Sequence, residues 1–239
     1  MKPFLFYIPY SCAALTHAEN ALQAAGYCFI DHPSPDITHV LLPVPTKISA
    51  LSVQLAMLPK DVTIIGGNLT DPIFAGCQTI DLLQSEDYLA QNAAITAHCA
   101  VKVALSKLPR ILSDCPVLVI GWGRIGKCLA QLLQQMGAQV TVAARKASDR
   151  AIIQALGFCA AAIPLSSKQF YRVVFNTVPA PVSLPSQNKE ACLKIELASS
   201  DGLSGNDIVI ARGLPGKEAP ESSGQLIAKT IHQILTSKE

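Results

Sequence analysis

Two hydrophobic patterns alternate along the chain: short apolar runs, and segments in which apolar residues recur every three to four positions. The runs predict strands at 4–8, 38–42 and 62–65, and the periodic segments predict helices at 13–25 and 51–58. Glycine or proline follows most of these segments, where an element is expected to end. The result is a β-α-β-α-β set within fewer than 90 residues, and such a set builds a parallel sheet.

One long helix is predicted from about 87 to 108, because this segment is rich in alanine and contains neither glycine nor proline. The strand signals then resume. Further strands are predicted at 117–120, 139–143, 173–175, 194–197 and 208–210. Helices are predicted between them and at the end of the chain, at 125–136, 148–156 and 222–237. Ser148 and Asp149 are expected to cap the second of these helices.

This alternation predicts the α/β class, with two Rossmann-like, doubly wound domains that have parallel sheets and are joined by a long interdomain helix. We expect a flavodoxin-like or Rossmann-like substrate domain at 1–88. The second domain, at 89–221, comprises the interdomain helix and a dinucleotide-binding Rossmann fold. The terminal helix at 222–237 is expected to pack back on the first domain, because its apolar face needs cover.

The composition excludes several classes of protein. Half of the 239 residues are hydrophobic and 15% are charged, which excludes a disordered chain, and the net charge of +2 argues against nucleic-acid binding. No apolar stretch approaches the length of a membrane helix, and the N-terminus makes a weak signal peptide. The eight cysteines include no C-x-x-C pair, so we expect reduced core thiols in a cytoplasmic protein.

The sharpest chemical signal is a G-x-G-x-x-G loop between a predicted strand and an amphipathic helix. Its residues are Gly121, Trp122, Gly123, Arg124, Ile125 and Gly126. Such a loop lets the backbone approach a pyrophosphate, and the helix N-terminus supplies N–H donors and a positive dipole. The alternative is a glycine-rich turn that binds nothing.

Residues at the ends of two later strands bear on the nucleotide. After 140–143 the chain reads Ala144, Arg145 and Lys146, with no carboxylate for a ribose 2′-hydroxyl, so we favour NADP over NAD. The alternative is a solvated turn. After 173–175, the residues Asn176, Thr177, Val178 and Pro179 are expected near the nicotinamide ribose, or else they form an ordinary turn.

With these residues identified, the second half resembles the family of the dipicolinate synthase A subunit in five successive blocks. They lie at 119–126, 140–145, 175–180, 196–199 and 213–220. The last block, which begins Gly-Leu-Pro-Gly-Lys, is the most specific, because it is not a general feature of dinucleotide-binding proteins. The first half is similar more faintly, through 41–45, 66–67 and the helical segment around Thr96.

The resemblance implies a relative of the two-domain 2-hydroxyacid dehydrogenases that acts in sporulation, on a branch of the lysine (diaminopimelate) pathway. It implies NADP-linked oxidation of a dihydrodipicolinate-type ring, a small dicarboxylate-type substrate, a partner that is a flavoprotein-like B subunit, and a homo- or hetero-oligomer. Neither nucleic acid nor a membrane is expected as a partner. The substrate-binding residues that it implies are Pro43, Val44, Thr96, Leu214, Pro215 and Gly216.

The chain also departs from the family's pattern. Where the family has glutamate and glycine in the interdomain helix, this chain has His98 and Cys99, and Glu196 stands where the family has aspartate. These changes leave open two alternatives, an NADP-dependent reductase of another small carboxylic acid and a non-catalytic, nucleotide-binding accessory subunit.

Three residues are candidates for catalysis. His98 would transfer protons near neutral pH, with a structural histidine as the alternative. Lys217 and Arg212 would pair with substrate carboxylates, with exposed loop cations as the alternative. The other histidines show no ligand spacing, so no metal is expected.

Overall fold

The computed structural model describes residues 4–47, 59, 61–165, 169–185 and 192–237. The chain divides into two compact units. Unit 1 is Met1–Asn92 together with Pro215–Glu239, and unit 2 is Ala93–Leu214. The helix predicted at 51–58 lies outside the described residues.

Unit 1 is built on a parallel sheet of five strands. They are β1 (Leu5–Tyr7), β2 (Cys28–Ile30), β3 (His39–Leu41), β4 (Thr63–Gly66) and β5 (Gln78–Asp81). Their order across the sheet is β2-β1-β3-β4-β5, the flavodoxin-like arrangement. The sequence predicted the three central strands and missed the two edge strands. These are only three and four residues long, and their residues are half-buried or exposed, so their apolar signal is weak.

Two helices of unit 1 pack closely together. Helix α1 (Ala13–Ala24) contacts the terminal helix, Pro220–Thr236, at Gly224. A Cβ at Gly224 would lie 2.6 Å from the His17 Cβ and 2.8 Å from the Ala18 backbone nitrogen. Only glycine permits this approach, which covers the apolar face of the terminal helix.

The long helix α2 (Glu86–Lys107) begins in unit 1 and ends in unit 2. Unit 2 contains a parallel sheet of six strands. They are β6 (Pro116–Ile120), β7 (Gln139–Ala144), β8 (Cys159–Ala162), β9 (Val173–Asn176), β10 (Leu193–Glu196) and β11 (Ile208–Ile210). In chain order within the unit, the arrangement is 3-2-1-4-5-6, the order of the dinucleotide-binding fold.

The centre of the second sheet is buried on both faces. Residues 117–120 and 173–176 are all 0% exposed, which explains why both strands read as unbroken apolar runs. The two parallel sheets with flanking helices confirm the predicted fold class. Strand β8 was not predicted, because Cys159–Ala162 is short, consists mainly of alanine and lies at the sheet edge.

Helix α3 (Arg124–Gln135) follows β6, and helix α4 (Ala147–Ala155) follows β7. The expectation that Ser148 and Asp149 cap α4 is wrong. Lys146 occupies the N-cap position without a side-chain cap, and both predicted residues lie inside the first turn. Helix α5 (Leu214–Glu218) is short, and α6 is the terminal helix at Pro220–Thr236. Within the described ranges, no helix combines the length and the hydropathy needed to cross a bilayer.

Candidate nucleotide-binding site

The carboxyl ends of the central strands of unit 2 lie level with one another. Ile120 is in register with Ala143 on one side and with Asn176 on the other, and Asn176 is in register with Glu196. The residues that follow these four positions therefore share one edge of the sheet. In doubly wound folds this edge is where ligands bind.

Two glycines of the G-x-G-x-x-G loop are required by the protein itself. Gly121 has a φ of +108°, and a Cβ there would collide with the Thr177 hydroxyl and lie 2.9 Å from the Val178 side chain. A Cβ at Gly126 would run into the Gly121 carbonyl oxygen. These residues allow the tight turn and the close contact between helix and strand.

Gly123 has no such internal reason to be glycine. Its φ is −81°, an ordinary value for any residue, and a Cβ there would meet no atom within 4 Å. The space in front of this backbone is therefore open. Neither the backbone conformation nor the packing at this position therefore requires glycine.

The start of helix α3 has backbone N–H groups without partners inside the helix. The first helical hydrogen bond runs from the Lys127 N–H to the Gly123 carbonyl at 3.0 Å, so the N–H groups of Ile125 and Gly126 have no acceptor within the helix. Gly123, the N-cap residue, offers no side-chain acceptor, and no acidic residue lies in the first turn. Phosphate oxygens can take these donors and benefit from the helix dipole.

A cavity of about 570 Å³ adjoins this loop. Its walls combine residues from the loop with residues at or after the ends of β7, β8 and β9. They are Gly121, Trp122, Gly123, Ala144, Arg145, Lys146, Asp149, Ile163 and Val178. The structure thus brings the predicted loop and the predicted strand-end residues together. Sequence reasoning missed Asp149 and Ile163 as lining residues.

Three charged side chains face this cavity. Arg145 and Lys146 are exposed, and Asp149 is half-buried. None of the three side chains makes a hydrogen bond or ion pair with another residue in the part of the chain that the structure describes. Their charges, two positive and one negative, are therefore available to a ligand in the cavity.

Asn176 is completely buried and belongs to a polar network. Its side-chain amide donates to Glu196 and to the Val178 carbonyl oxygen, and its Oδ1 accepts from the Val178 N–H. Glu196, only 1% exposed, also accepts backbone N–H bonds from Ala198, Gly202 and Leu203. The network fixes the chain that follows β9 and β10.

The neighbouring predicted residues lie at the same edge. The Thr177 hydroxyl donates to the Ile120 carbonyl oxygen at 2.8 Å, which ties the end of β9 to the glycine loop. Val178 lines the cavity, and Pro179 is exposed.

The candidate catalytic residues lie in different settings. The Arg212 side chain already has partners within the protein, since it donates hydrogen bonds to the Ala198 carbonyl oxygen at 2.7 Å and to the Asp201 carboxylate at 2.6 Å. His98 is exposed and lines a separate pocket of about 240 Å³ with Gln131 and Gln135 of helix α3. Gln131 is seven residues past the helix start, which places it about 10 Å along the axis from the glycine loop.

The candidate substrate residues are divided between the units. Thr96 is buried in unit 2. In unit 1, the half-buried Pro43 and Val44 follow β3, and the Pro43 carbonyl oxygen accepts from the Thr46 hydroxyl at 2.8 Å. The remaining candidates lie in the short helix α5. They are Leu214, which ends unit 2, and Pro215, Gly216 and Lys217, which begin the second segment of unit 1.

Within the described ranges, no three or more histidine, cysteine, aspartate or glutamate side chains lie close enough together to hold a metal ion.

Trp122 of the glycine loop is held in place by packing. The Trp122 and Phe158 rings lie 6.0 Å apart at 66°, and the Lys127 ammonium lies 5.8 Å from the Trp122 ring centroid.

Together these features define a class, a two-unit α/β protein whose second unit has a dehydrogenase-like, dinucleotide-binding fold. No family model matches the chain. The A subunit of dipicolinate synthase from Bacillus subtilis (strain 168) is 25% identical over an alignment of 254 positions, which covers 91% of this chain and 84% of that protein.

Solved structures agree. The A subunit of dipicolinate synthase from Bacillus halodurans superposes with a TM-score of 0.80 at 20% identity and covers 98% of both chains. The NAD-complexed D-isomer specific 2-hydroxyacid dehydrogenase from Lactobacillus delbrueckii ssp. bulgaricus has a TM-score of 0.53 at 12% identity, with 98% of both chains covered. The resemblance to the dipicolinate synthase A subunit is confirmed, and the second match shows that the fold is dehydrogenase-like.

Proposed function

We propose that this chain is an NADP-dependent oxidoreductase that resembles the A subunit of dipicolinate synthase and oxidises a dihydrodipicolinate-type ring to dipicolinate. Gly123 carries the nucleotide part of the proposal. It is a glycine that neither its backbone conformation nor its packing requires, at the N-terminus of a helix that leaves backbone N–H donors unpaired. A dinucleotide diphosphate fits both features.

The choice of NADP over NAD is supported by the charges in the adjoining cavity. The Arg145 guanidinium and the Lys146 ammonium lack protein partners within the described ranges, and a ribose 2′-phosphate offers them an acceptor. The half-buried Ile163 and the Val178 side chain supply apolar walls of the kind that an adenine ring packs against.

The nicotinamide end is assigned to the chain that follows β9. NADP⁺ supplies a hydride acceptor, the nicotinamide C4, when it is bound. Asn176 and Glu196 hold the backbone at 176–178 rigid, so that this segment orients the ring and the ribose next to it. The buried position of both side chains excludes water from that support.

The reaction balances without a further oxidant. With NADP⁺ bound, the dihydro ring would give up a hydride to the cofactor and a proton to a base, and the products would be dipicolinate, NADPH and H⁺. Two negative carboxylates on the ring call for cationic partners. We assign one of them to Lys217, which is exposed in helix α5 and makes no hydrogen bond or ion pair within the described ranges.

We also propose that the protein acts in an assembly. The curated relative is described as one subunit of its enzyme. A flavoprotein-like B subunit is the partner that we infer, in a hetero-oligomer or alongside a homo-oligomer of this chain. We infer that the enzyme is cytoplasmic and that it acts in the sporulation branch of the lysine pathway.

A second candidate is a nucleotide-binding accessory subunit without chemistry of its own. Its specific support is the setting of His98, which is exposed beside the middle of helix α3 and does not line the cavity at the glycine loop. An imidazole in that position is poorly placed to move a proton at a nicotinamide next to Asn176.

The experiment that separates the two is a turnover assay of the purified chain alone. Fresh dihydrodipicolinate and NADP⁺ are supplied, and the absorbance of NADPH and of dipicolinate is followed together. Equal formation of both products supports the oxidoreductase. NADP⁺ binding without turnover supports the accessory role, and a chain that binds neither NADP⁺ nor NAD⁺ rejects both. Repeating the assay with other small carboxylic acids and NADPH tests for a reductase of a different substrate.

A further inference from the structure

The turn between β7 and α4 is held by an arginine that sequence reasoning missed. Arg150 lies in helix α4, and its Nη1 donates to two successive main-chain oxygens, those of Ala144 at 3.0 Å and Arg145 at 2.6 Å. We call these two hydrogen bonds the clamp. The helix anchors it, since the Arg150 backbone N–H donates to the Lys146 carbonyl oxygen at 3.2 Å. The side chain therefore reaches back over the turn from which the cavity's two cations project.

The Arg150 side chain donates its hydrogen bonds to main-chain oxygens. No carboxylate forms an ion pair with Arg150 in the part of the chain that the structure describes, although the preceding residue in the chain is Asp149. Arg150 is half-buried and does not line the cavity, whereas Arg145 and Asp149 do. Its contacts with the site thus run through backbone carbonyls and not through a ligand.

One of the two carbonyls belongs to Arg145, which carries the proposed selectivity, and the other belongs to Ala144, the residue before it. Arg145 is an exposed side chain on a short turn, and an unrestrained turn would spread its guanidinium over many positions. A guanidinium presents its donors in a rigid fork, and two bonds from one nitrogen fix both carbonyls at once. Fixing the Arg145 carbonyl sets the direction in which its side chain leaves the turn.

We propose that Arg150 is a positioning residue for recognition of the 2′-phosphate: it acts through Arg145 by holding the turn at 144–146, and so sets the preference for NADP over NAD. This inference rests on the proposed function. Arg150 itself does not contact the nucleotide in this inference. Its effect on NADP⁺ binding should therefore disappear when Arg145 is removed, which can be tested.

The chain carries its own reporter for the test. It has a single tryptophan, Trp122, which lies in the glycine loop and lines the cavity, so nucleotide binding is read from its fluorescence. Dissociation constants for NADP⁺ and NAD⁺ are measured on the wild type, Arg150→Met, Arg150→Lys, Arg145→Ala and the double variant of Arg145→Ala with Arg150→Met. Arg110→Met is the control, an exposed arginine before β6. Circular dichroism and melting temperature verify folding.

We expect Arg150→Met to weaken NADP⁺ binding about tenfold and to leave NAD⁺ binding unchanged to within about twofold. Arg150→Lys is expected to restore part of the loss, because an ammonium retains the charge but not the fork. In the Arg145→Ala background, Arg150→Met is expected to have no further effect on NADP⁺.

Three results overturn the inference. One is an equal loss of NADP⁺ and NAD⁺ binding, which indicates a purely structural role. Another is an additive loss in the double variant, which indicates that Arg150 contacts the phosphate directly. The third is a wild-type preference for NADP⁺ that Arg150→Met leaves intact. A wild type that binds neither nucleotide rejects the proposed function itself and is thereby distinguished from these results.

Discussion

The side-chain amide of Asn176 donates to both carboxylate oxygens of Glu196, at 2.9 and 3.1 Å. The two residues are register partners at the carboxyl ends of adjacent strands. The same carboxylate accepts three backbone N–H bonds, so one buried group connects two strand ends and the loop at 198–203. Gly202 completes the arrangement, because a Cβ there would lie 2.8 Å from the Ala180 carbonyl oxygen.

Glu196→Gln is expected to break this network. A glutamine places an NH₂ group where a carboxylate oxygen now accepts N–H bonds, and a buried donor without an acceptor costs about 1–3 kcal/mol. We expect the free energy of unfolding in urea to fall by that amount and the affinity for the nicotinamide nucleotide to fall with it. Glu221→Gln, at an exposed position of helix α6, is the matched control. Unchanged stability of Glu196→Gln would show that the network does not support the loop.

Arg145→Ala tests the choice of nucleotide. Removing the guanidinium takes away a charge-assisted bond to the 2′-phosphate, worth about 1.5–3 kcal/mol, so the dissociation constant for NADP⁺ is expected to rise by about 10-fold or more. That for NAD⁺ should stay the same. The ratio of the two constants, measured from Trp122 fluorescence, is the readout. An unaltered ratio removes Arg145 from the site.

Asp149→Asn is expected to act in the opposite direction. The Asp149 carboxylate lines the same cavity as Arg145 and Lys146, and its charge repels a 2′-phosphate. The asparagine variant keeps the shape and loses the charge. We predict that it binds NADP⁺ about 2- to 5-fold more tightly than the wild type, since one partly exposed charge contributes about 0.5–1 kcal/mol. Weaker binding of NADP⁺ would mean that Asp149 instead accepts a hydrogen bond from the nucleotide.

Tyr88, in the part of helix α2 that belongs to unit 1, is expected to make the free energy of unfolding depend on pH in the alkaline range. The residue is 1% exposed, and burial raises the pKa of Tyr88 from 10.0 to about 12. Below pH 10 both the folded and the unfolded chain keep the phenolic proton, so this residue makes no difference there. Between pH 10 and about 12 the unfolded chain has lost the proton while the folded chain keeps it, so stability falls as pH rises.

Over that interval the loss from Tyr88 amounts to roughly 2–3 kcal/mol. Tyr88→Phe cannot ionise and is expected to lack this part of the alkaline decline. Urea unfolding at a series of pH values, on the wild type and this variant, measures it. Tyr10→Phe, at a half-exposed ring, is the control. The same decline in Tyr88→Phe as in the wild type would contradict the assignment.

Much of the architecture could be predicted because its strongest signals are local. Strands β6 and β9 are buried on both faces and therefore read as apolar runs, and Gly121 and Gly126 mark a turn that only glycine can make. Edge strands such as Cys28–Ile30 escaped prediction because tertiary pairing, rather than residue pattern, holds three residues extended.

Three residues of the site were not predicted from the sequence, because only the folded chain brings them there. Asp149 and Ile163 reach the cavity from α4 and from the segment after β8, and only the folded sheet brings these elements to one edge. Arg150 carried a weak signal, since a cation in the second turn of a helix is usually solvated. Its reach back to the carbonyl oxygens of the turn is a property of the folded backbone.

The most direct test of the account is NADP⁺ binding to Gly123→Asp. Aspartate is a better N-cap than glycine and its charge complements the helix dipole, so the free energy of unfolding is expected to stay the same or rise by up to about 1 kcal/mol. Yet the carboxylate fills the space reserved for the diphosphate and repels it. We predict that binding weakens by about 100-fold or more while the melting temperature is maintained. A folded Gly123→Asp that binds NADP⁺ as tightly as the wild type would contradict the central claim.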